Sequence, residues 1–148
     1  MKIFRVPTVE KPIFQTTLDV RINDINYGNH LGHDSFISLL HEARIQFLKK
    51  MGYINELNIE GLGMLITNIY VNYTNESFYS DKITINIEIG ETTKTTIQLI
   101  YQASLEEANK KIANALTTMT FYNYQTSKVA KIPQKFLSNI GLINTSAI

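Results

Sequence analysis

All three of the chain's histidines fall in one short stretch, "DINYGNHLGHDSFISLLHE" (24–42), and the close pair, His30 and His33, stands there with Asp24, Asn26, Asn29 and Asp34. An imidazole gives and takes protons near neutral pH, and carboxylates and amides orient water and carbonyl groups through hydrogen bonds. An apolar run follows directly, so the stretch leads into the N-terminus of a helix, where unsatisfied N–H groups and a partial positive charge collect. A carbonyl lying over Gly32, Asp34 and Ser35 would have its developing oxyanion stabilised there. Asp24, Asn26, Asn29, His30 and His33 surround that point, able to orient or deprotonate a water. The same residues also suit a strand-to-helix loop that satisfies its own backbone.

Other chemistries fit less well. His41-Glu42 begins like the zinc-protease motif H-E-x-x-H, but Ile45 occupies the place of the second histidine, so two ligands do not share a helical face. His30-x-x-His33 with Asp34 falls short of the three or four spaced ligands and the supporting groups of a metal site. We expect no metal and no cofactor. The glycines at 28, 32, 61 and 63 match neither a phosphate loop nor a G-x-G-x-x-G that opens a helix.

The elements that must position these residues follow from periodicity. Phe36, Leu39, Leu40, Ala43, Phe47, Leu48 and Met51 recur at three- and four-residue spacing, which predicts a helix from about residue 34 to 51. Asp34 or Ser35 is expected to cap it, Arg44, Lys49 and Lys50 to complement its C-terminal dipole, and Gly52 to end it. A strand over 16–21 precedes the loop. Beyond the helix, "MLITNIYVNY", "KITINIEIG", "TTIQLIYQASL" and "KIANALTTMTFYNY" are rich in Ile, Val, Thr and Tyr and alternate apolar with polar residues, the pattern of strands. "TNESFYSD", "ETTK" and "EEANKK" read as hairpin connections in a meander. Pro133 opens a short helix with Phe136, Leu137 and Ile140 on one face. The order predicts one α+β domain over residues 1–148, an antiparallel sheet curled around its most apolar helix.

Composition narrows the function. A chain of 148 residues, 44% hydrophobic, supports one domain with a real core. A net charge of +1 with scattered basic residues argues against a nucleic-acid partner. The absence of cysteine removes disulfides and thiolate nucleophiles. "MKIFRVPTVEKPIF" interrupts its apolar residues with charges and prolines, unlike a signal peptide, and no run approaches the roughly 20 apolar residues that span a bilayer. We therefore read a cytoplasmic protein with no membrane partner. The sequons at Asn72 and Asn144 would matter only in a secreted protein and are read as chance.

The segment "VRINDINYGNHLGHDSFISLLHEARIQFL" resembles the pattern V-R-x-x-D-x-D-x-x-G-H-V-N-N-x-x-Y, followed by a helix ending E-x-A-R, of the hotdog-fold acyl-CoA thioesterases of the 4-hydroxybenzoyl-CoA thioesterase type. Asp24 stands in register with Ala43-Arg44 without a gap. Downstream, "VNYTNESFYSDKITINIEI" resembles the family's V-x-Y-x-x-P-x-x-x-G-D-x-L-x-I, and "KVAKIP" its proline after the last strand. The likeness runs from about residue 16 to 136. It implies a five-stranded antiparallel sheet wrapped around a long central helix, homodimers or homotetramers with sites between subunits, and metal-free hydrolysis of an acyl-CoA substrate.

Carried over position by position, the resemblance places Asp24 at the first Asp of D-x-D and Asn26 at the second, which acts on the thioester in the benzoyl-CoA enzymes. An amide takes no proton at neutral pH, so Asn26 would hold water or carbonyl and another group would serve as base. His33 matches a catalytic His of a bacterial short-chain acyl-CoA thioesterase branch and is the first choice; His30 matches the His of G-H-V-N-N. Gly28-Asn29 shifts the usual glycine by one position, and Gly32-His33 replaces the paired asparagines. Two alternatives stay open. One is a hotdog enoyl-CoA hydratase, whose D-x-N-P-x-H resembles Asp24 to His30 with an interval one residue longer. The other is a non-catalytic acyl-CoA-binding module.

Overall fold

Isoleucine alternates with Thr84, Asn86 and Glu88 along "KITINIEIGET", and the consequence is a strand with one dry side: Ile83, Ile85 and Ile87 are fully buried. The structure, a computed structural model, describes residues 1–143, so the Asn144 sequon lies outside the described residues. The elements run β1 (Phe14–Asp19), a 3-10 turn (Ile22–Asp24), α1 (His33–Lys50), β2 (Gly63–Tyr73), β3 (Lys82–Thr92), β4 (Thr96–Leu105), β5 (Lys111–Asn123), β6 (Lys128–Val129) and α2 (Gln134–Asn139). The sheet is antiparallel, in the order β1-β3-β4-β5-β2, with β6 beside β5. Five long strands are those expected; the two-residue β6 is an addition. This is the hotdog fold.

The sheet's inner face and α1 share one core, in which Phe36, Leu40, Ala43 and Phe47 of the helix meet Ile85, Ile87, Tyr101 and Ala115. The helix begins one residue earlier than its periodicity predicts. Gly32 is its N-cap and neither Asp34 nor Ser35 caps it; the extended backbone at Gly32 places His33 in the first turn. Met51 closes the helix, and Gly52, at φ +98, turns the chain away in a conformation that glycine tolerates best. Arg44, expected as a cation complementing the C-terminal dipole, is buried. The opposite face, with Ile37, Ser38 and His41, is left open by the sheet. Among the described residues no helix is long and apolar enough to cross a membrane.

"ETTK" and "EEANKK" do connect hairpins, β3 to β4 and β4 to β5. "TNESFYSD" does not. β2 pairs with β5 and β3 lies between β1 and β4, so residues 74–81 cross from one side of the sheet to the other. On the way they exchange hydrogen bonds with the chain just after β1, Ser80 N–H to the Val20 carbonyl and Val20 N–H to the Asp81 carbonyl, both 2.9 Å.

β1 ends at Asp19, before the expected Arg21, because Arg21 is drawn into the 3-10 turn. Its backbone N–H and its Nε donate to Asp24 Oδ2 at 2.8 and 3.2 Å, and its Nη2 donates to Oδ1 at 3.1 Å. Burial pushes the Asp24 carboxyl up, but the hydrogen bonds and charge of Arg21 outweigh it and hold the group below its ordinary value. With the folded pKa depressed, the stabilisation is complete above the unfolded value of about 3.9 and is lost as pH falls through the folded one. Asp24→Asn is therefore expected to lower the melting temperature at pH 7 and to flatten the loss of stability on acidification, as followed by circular dichroism melts from neutral pH downward.

Candidate active site

Between the 3-10 turn and α1 the polar loop folds into a miniature hairpin. Ile25 and Leu31 form a β-bridge, Asn26 N–H donates to the His30 carbonyl and Asn29 N–H to the Asn26 carbonyl, each at 3.0 Å. Asn29 takes a left-handed conformation (φ 65), which asparagine accepts more readily than most residues. Gly28 N–H donates to Asn26 Oδ1 at 2.9 Å. Asn26 thus spends its oxygen on the loop and keeps its Nδ2 donors for the cavity it lines. A Cβ on Gly28 would come within 3.2 Å of both Asn26 Oδ1 and His30 Nε2. Glycine is what allows those two polar groups to converge.

His30 Nδ1 lies 3.1 Å from the Leu31 carbonyl. That contact needs the proton on Nδ1, which leaves the Nε2 lone pair unspent. Glu76 Oε1 stands 3.9 Å from Nε2, so an imidazole that gains a proton there meets a carboxylate.

The crossing segment supplies the facing wall. Leu31 N–H donates to the Ser77 carbonyl at 2.8 Å, and Ser77, itself buried, donates through Oγ to Asp81 Oδ2 at 3.0 Å. At the end of β2 the Tyr73 hydroxyl donates to the His33 carbonyl at 2.9 Å. Burial, with the Asp34 carboxylate nearby, raises the Tyr73 phenol above its ordinary value and keeps it a donor. Together these groups enclose a cavity of about 290 Å³, polar at Asn26, His30, His33 and Glu76 and apolar at Leu31, Phe36, Tyr73 and Ile112. No side chain caps α1 at this point, so its first-turn N–H groups are not taken by a cap.

The structure brings Asn26, His30 and His33 together and leaves the other sequence candidates outside the lining. Asp24 sits behind the loop, its carboxylate on Arg21 and its carbonyl accepting the Gly32 N–H at 2.9 Å. Gly32 is buried against Asn26, 3.5 Å separating the Asn26 Cβ from where a Cβ on Gly32 would stand. Asp34 and Ser35 belong to the first turn but do not line the cavity. Glu76 escapes the sequence reading because residues 74–81 look like a hairpin turn, and a polar run between two strands carries no sign that the strands are not neighbours; Tyr73 reads there only as the last residue of a strand. Among the described residues no three His, Asp or Glu side chains converge as metal ligands.

Residues 20–140 match the thioesterase-like superfamily. The long-chain acyl-CoA thioesterase FadM of Escherichia coli is 24% identical over 114 residues, 77% of this chain and 86% of that protein. Among solved structures, a 1,4-dihydroxy-2-naphthoyl-CoA thioesterase from Synechocystis superposes with a TM-score of 0.79 at 18% identity, covering 86% of this chain and 94% of its own. A Staphylococcus aureus protein determined in complex with CoA gives 0.78 at 15% identity, with coverage of 90% and 84%. The hotdog architecture and a family match spanning most of the sequence lead to one assignment: the chain belongs to the thioesterase-like superfamily.

Proposed function

We propose that the protein is a cytoplasmic acyl-CoA thioesterase that hydrolyses an acyl thioester to the free acid and coenzyme A by direct attack of water. The observation that carries this reading is the meeting in one cavity of the Asn26 amide, a histidine with an unspent Nε2 and His33, the first residue of a helix that no side chain caps. The names of the relatives, which specify CoA thioesters, agree with it. The thioester carbonyl lies over the first turn of α1, whose N–H groups and dipole stabilise the oxyanion. Asn26 Nδ2 holds the water or the carbonyl. An imidazole takes a proton from the water as its oxygen bonds the carbonyl carbon, and collapse of the tetrahedral intermediate breaks the C–S bond and returns the proton to the departing thiolate.

Sequence position favours His33 as the base; hydrogen bonding favours His30. The Leu31 carbonyl fixes the tautomer of His30, and Glu76 lies beyond its Nε2. His33 stands exposed at the start of the helix. We assign proton transfer to His30 and keep His33 as a second imidazole of the cavity, with Asp24, Gly32, Asp34 and Ser35 shaping the helix terminus.

The same reading includes self-association into a homodimer or homotetramer. β2 is a sheet edge, and Leu65, Ile66, Tyr70 and Tyr73 along it are exposed. An unpaired edge with apolar side chains is covered most simply by a second copy, which would close the open side of the cavity.

Three outcomes are expected. In a thiol-release screen across acyl-CoA chain lengths, His30→Ala lowers kcat by about a hundredfold or more, in the range of positioned acid–base groups, and His33→Ala lowers it less. The reverse order would return the role to His33, and no release from any acyl group would remove the hydrolytic reading. Asn26→Asp restores a carboxylate in the volume of the amide and should retain or raise hydrolysis above about pH 6, whereas Asn26→Ala should lower it by losing a positioned donor. Light scattering at micromolar concentration should find a dimer or larger; a fully active monomer would contradict the shared cavity.

A further inference from the structure

The open face of α1 carries His33, Ile37 and His41 at four-residue spacing, a single stripe about 12 Å long at roughly 1.5 Å per residue. His33 lines the cavity. Ile37, Ser38 and His41 line a second hollow of about 350 Å³, whose facing wall is Met64, Ile66 and Ile69 of β2. The strand repeats the alignment: Tyr73 lines the cavity and Ile69 the hollow, and residues four apart on a strand point the same way. The two hollows therefore lie along one seam between α1 and β2.

At its far end the apolar seam meets a built polar cluster. His41 Nε2 lies 2.6 Å from Glu56 Oε1, and Glu56 Oε2 accepts from Arg44 Nε at 2.8 Å. Arg44, whose side chain is 5% exposed, also donates to the Tyr101 hydroxyl at 3.4 Å, which bonds Thr117 Oγ1 at 2.8 Å. Anchoring the chain between α1 and β2 does not require His41. The Glu56 carbonyl already accepts the Met64 N–H at 2.8 Å, and Arg44 already neutralises the Glu56 carboxylate. What the cluster does to His41 is fix its ring: in the neutral imidazole, with Nε2–H given to the carboxylate, Nδ1 is left as an acceptor on a side chain that is 55% exposed. An acceptor at the end of an apolar groove matches a donor on an otherwise apolar ligand. A hydroxyl fits; an ammonium would have to be desolvated among Ile37, Met64, Ile66 and Ile69.

We propose that this seam is the acyl channel of the hydrolysis described above, and that His41 sets specificity by accepting a hydrogen bond from a hydroxyl at the far end of the acyl chain. The substrate class is then a hydroxyacyl-CoA whose hydroxyl lies about 12 Å from the thioester, just over two helical turns along α1. The inference rests on the hydrolytic reading. The second copy at the β2 edge would roof the channel.

The test compares acyl-CoAs with and without a terminal hydroxyl, matched in length and run from short to long, through kcat/KM for thiol release. The parent should prefer the hydroxylated compound by about tenfold at one chain length, the size expected where one hydrogen bond decides and its absence leaves a polar group unpaired. His41→Leu should bring the ratio near one at that length. His41→Gln, which keeps an acceptor, should retain part of the preference. No hydroxyl preference at any length, or an unchanged preference in His41→Leu with its circular dichroism unaltered, overturns the proposal while hydrolysis stands. Hydrolysis of neither series removes both readings.

Discussion

The cavity depends on one buried carboxylate. Asp24 accepts three hydrogen bonds from Arg21, which close the 3-10 turn, and its own carbonyl receives the Gly32 N–H at the start of α1. That residue sets where the helix begins, and so where its first-turn N–H groups and dipole point. Burying a carboxylate is unfavourable unless it is paired and hydrogen-bonded, and Arg21 supplies both. The residue braces the loop that carries Asn26, His30 and His33.

A second constraint is topological. Because β2 belongs at the far edge beside β5, the chain must cross residues 74–81 over the mouth of the curled sheet before β3 can start. This crossing brings Glu76 and Ser77 against the histidine loop, with the Leu31 N–H to Ser77 carbonyl bond as the seam. The cavity is thus assembled from the loop before α1 and the loop after β2, far apart in sequence.

Local patterns made much of the architecture legible. The apolar stripe of α1 and the Ile-rich alternation of β3 depend on residues close in sequence, and both elements appear within a few residues of their expected bounds. Strand order depends on partners distant in sequence, which no local pattern encodes, and there "TNESFYSD" misled. Of the cavity lining, Asn26, His30 and His33 were readable because they share one short loop. The tautomer of His30, the approach of Glu76 and the setting of His41 by Glu56 and Arg44 arise only when separate segments pack. The cap of α1 failed for a subtler reason: Asp34 and Ser35 are good capping residues, but Gly32 already has the extended backbone that an N-cap requires.

The central claim is that water, activated by an imidazole, attacks the thioester directly, although Glu76 is a carboxylate of the same cavity. A single turnover with acyl-CoA in water enriched in oxygen-18, followed by mass spectrometry of both the released acid and the protein, separates direct attack from an acyl-carboxylate route in which water opens the anhydride at the Glu76 carboxyl carbon. Direct attack predicts one heavy oxygen in the acid and none in the protein. Heavy oxygen in the peptide containing Glu76, with none in the acid from that first turnover, would show an acyl-carboxylate intermediate and contradict the account.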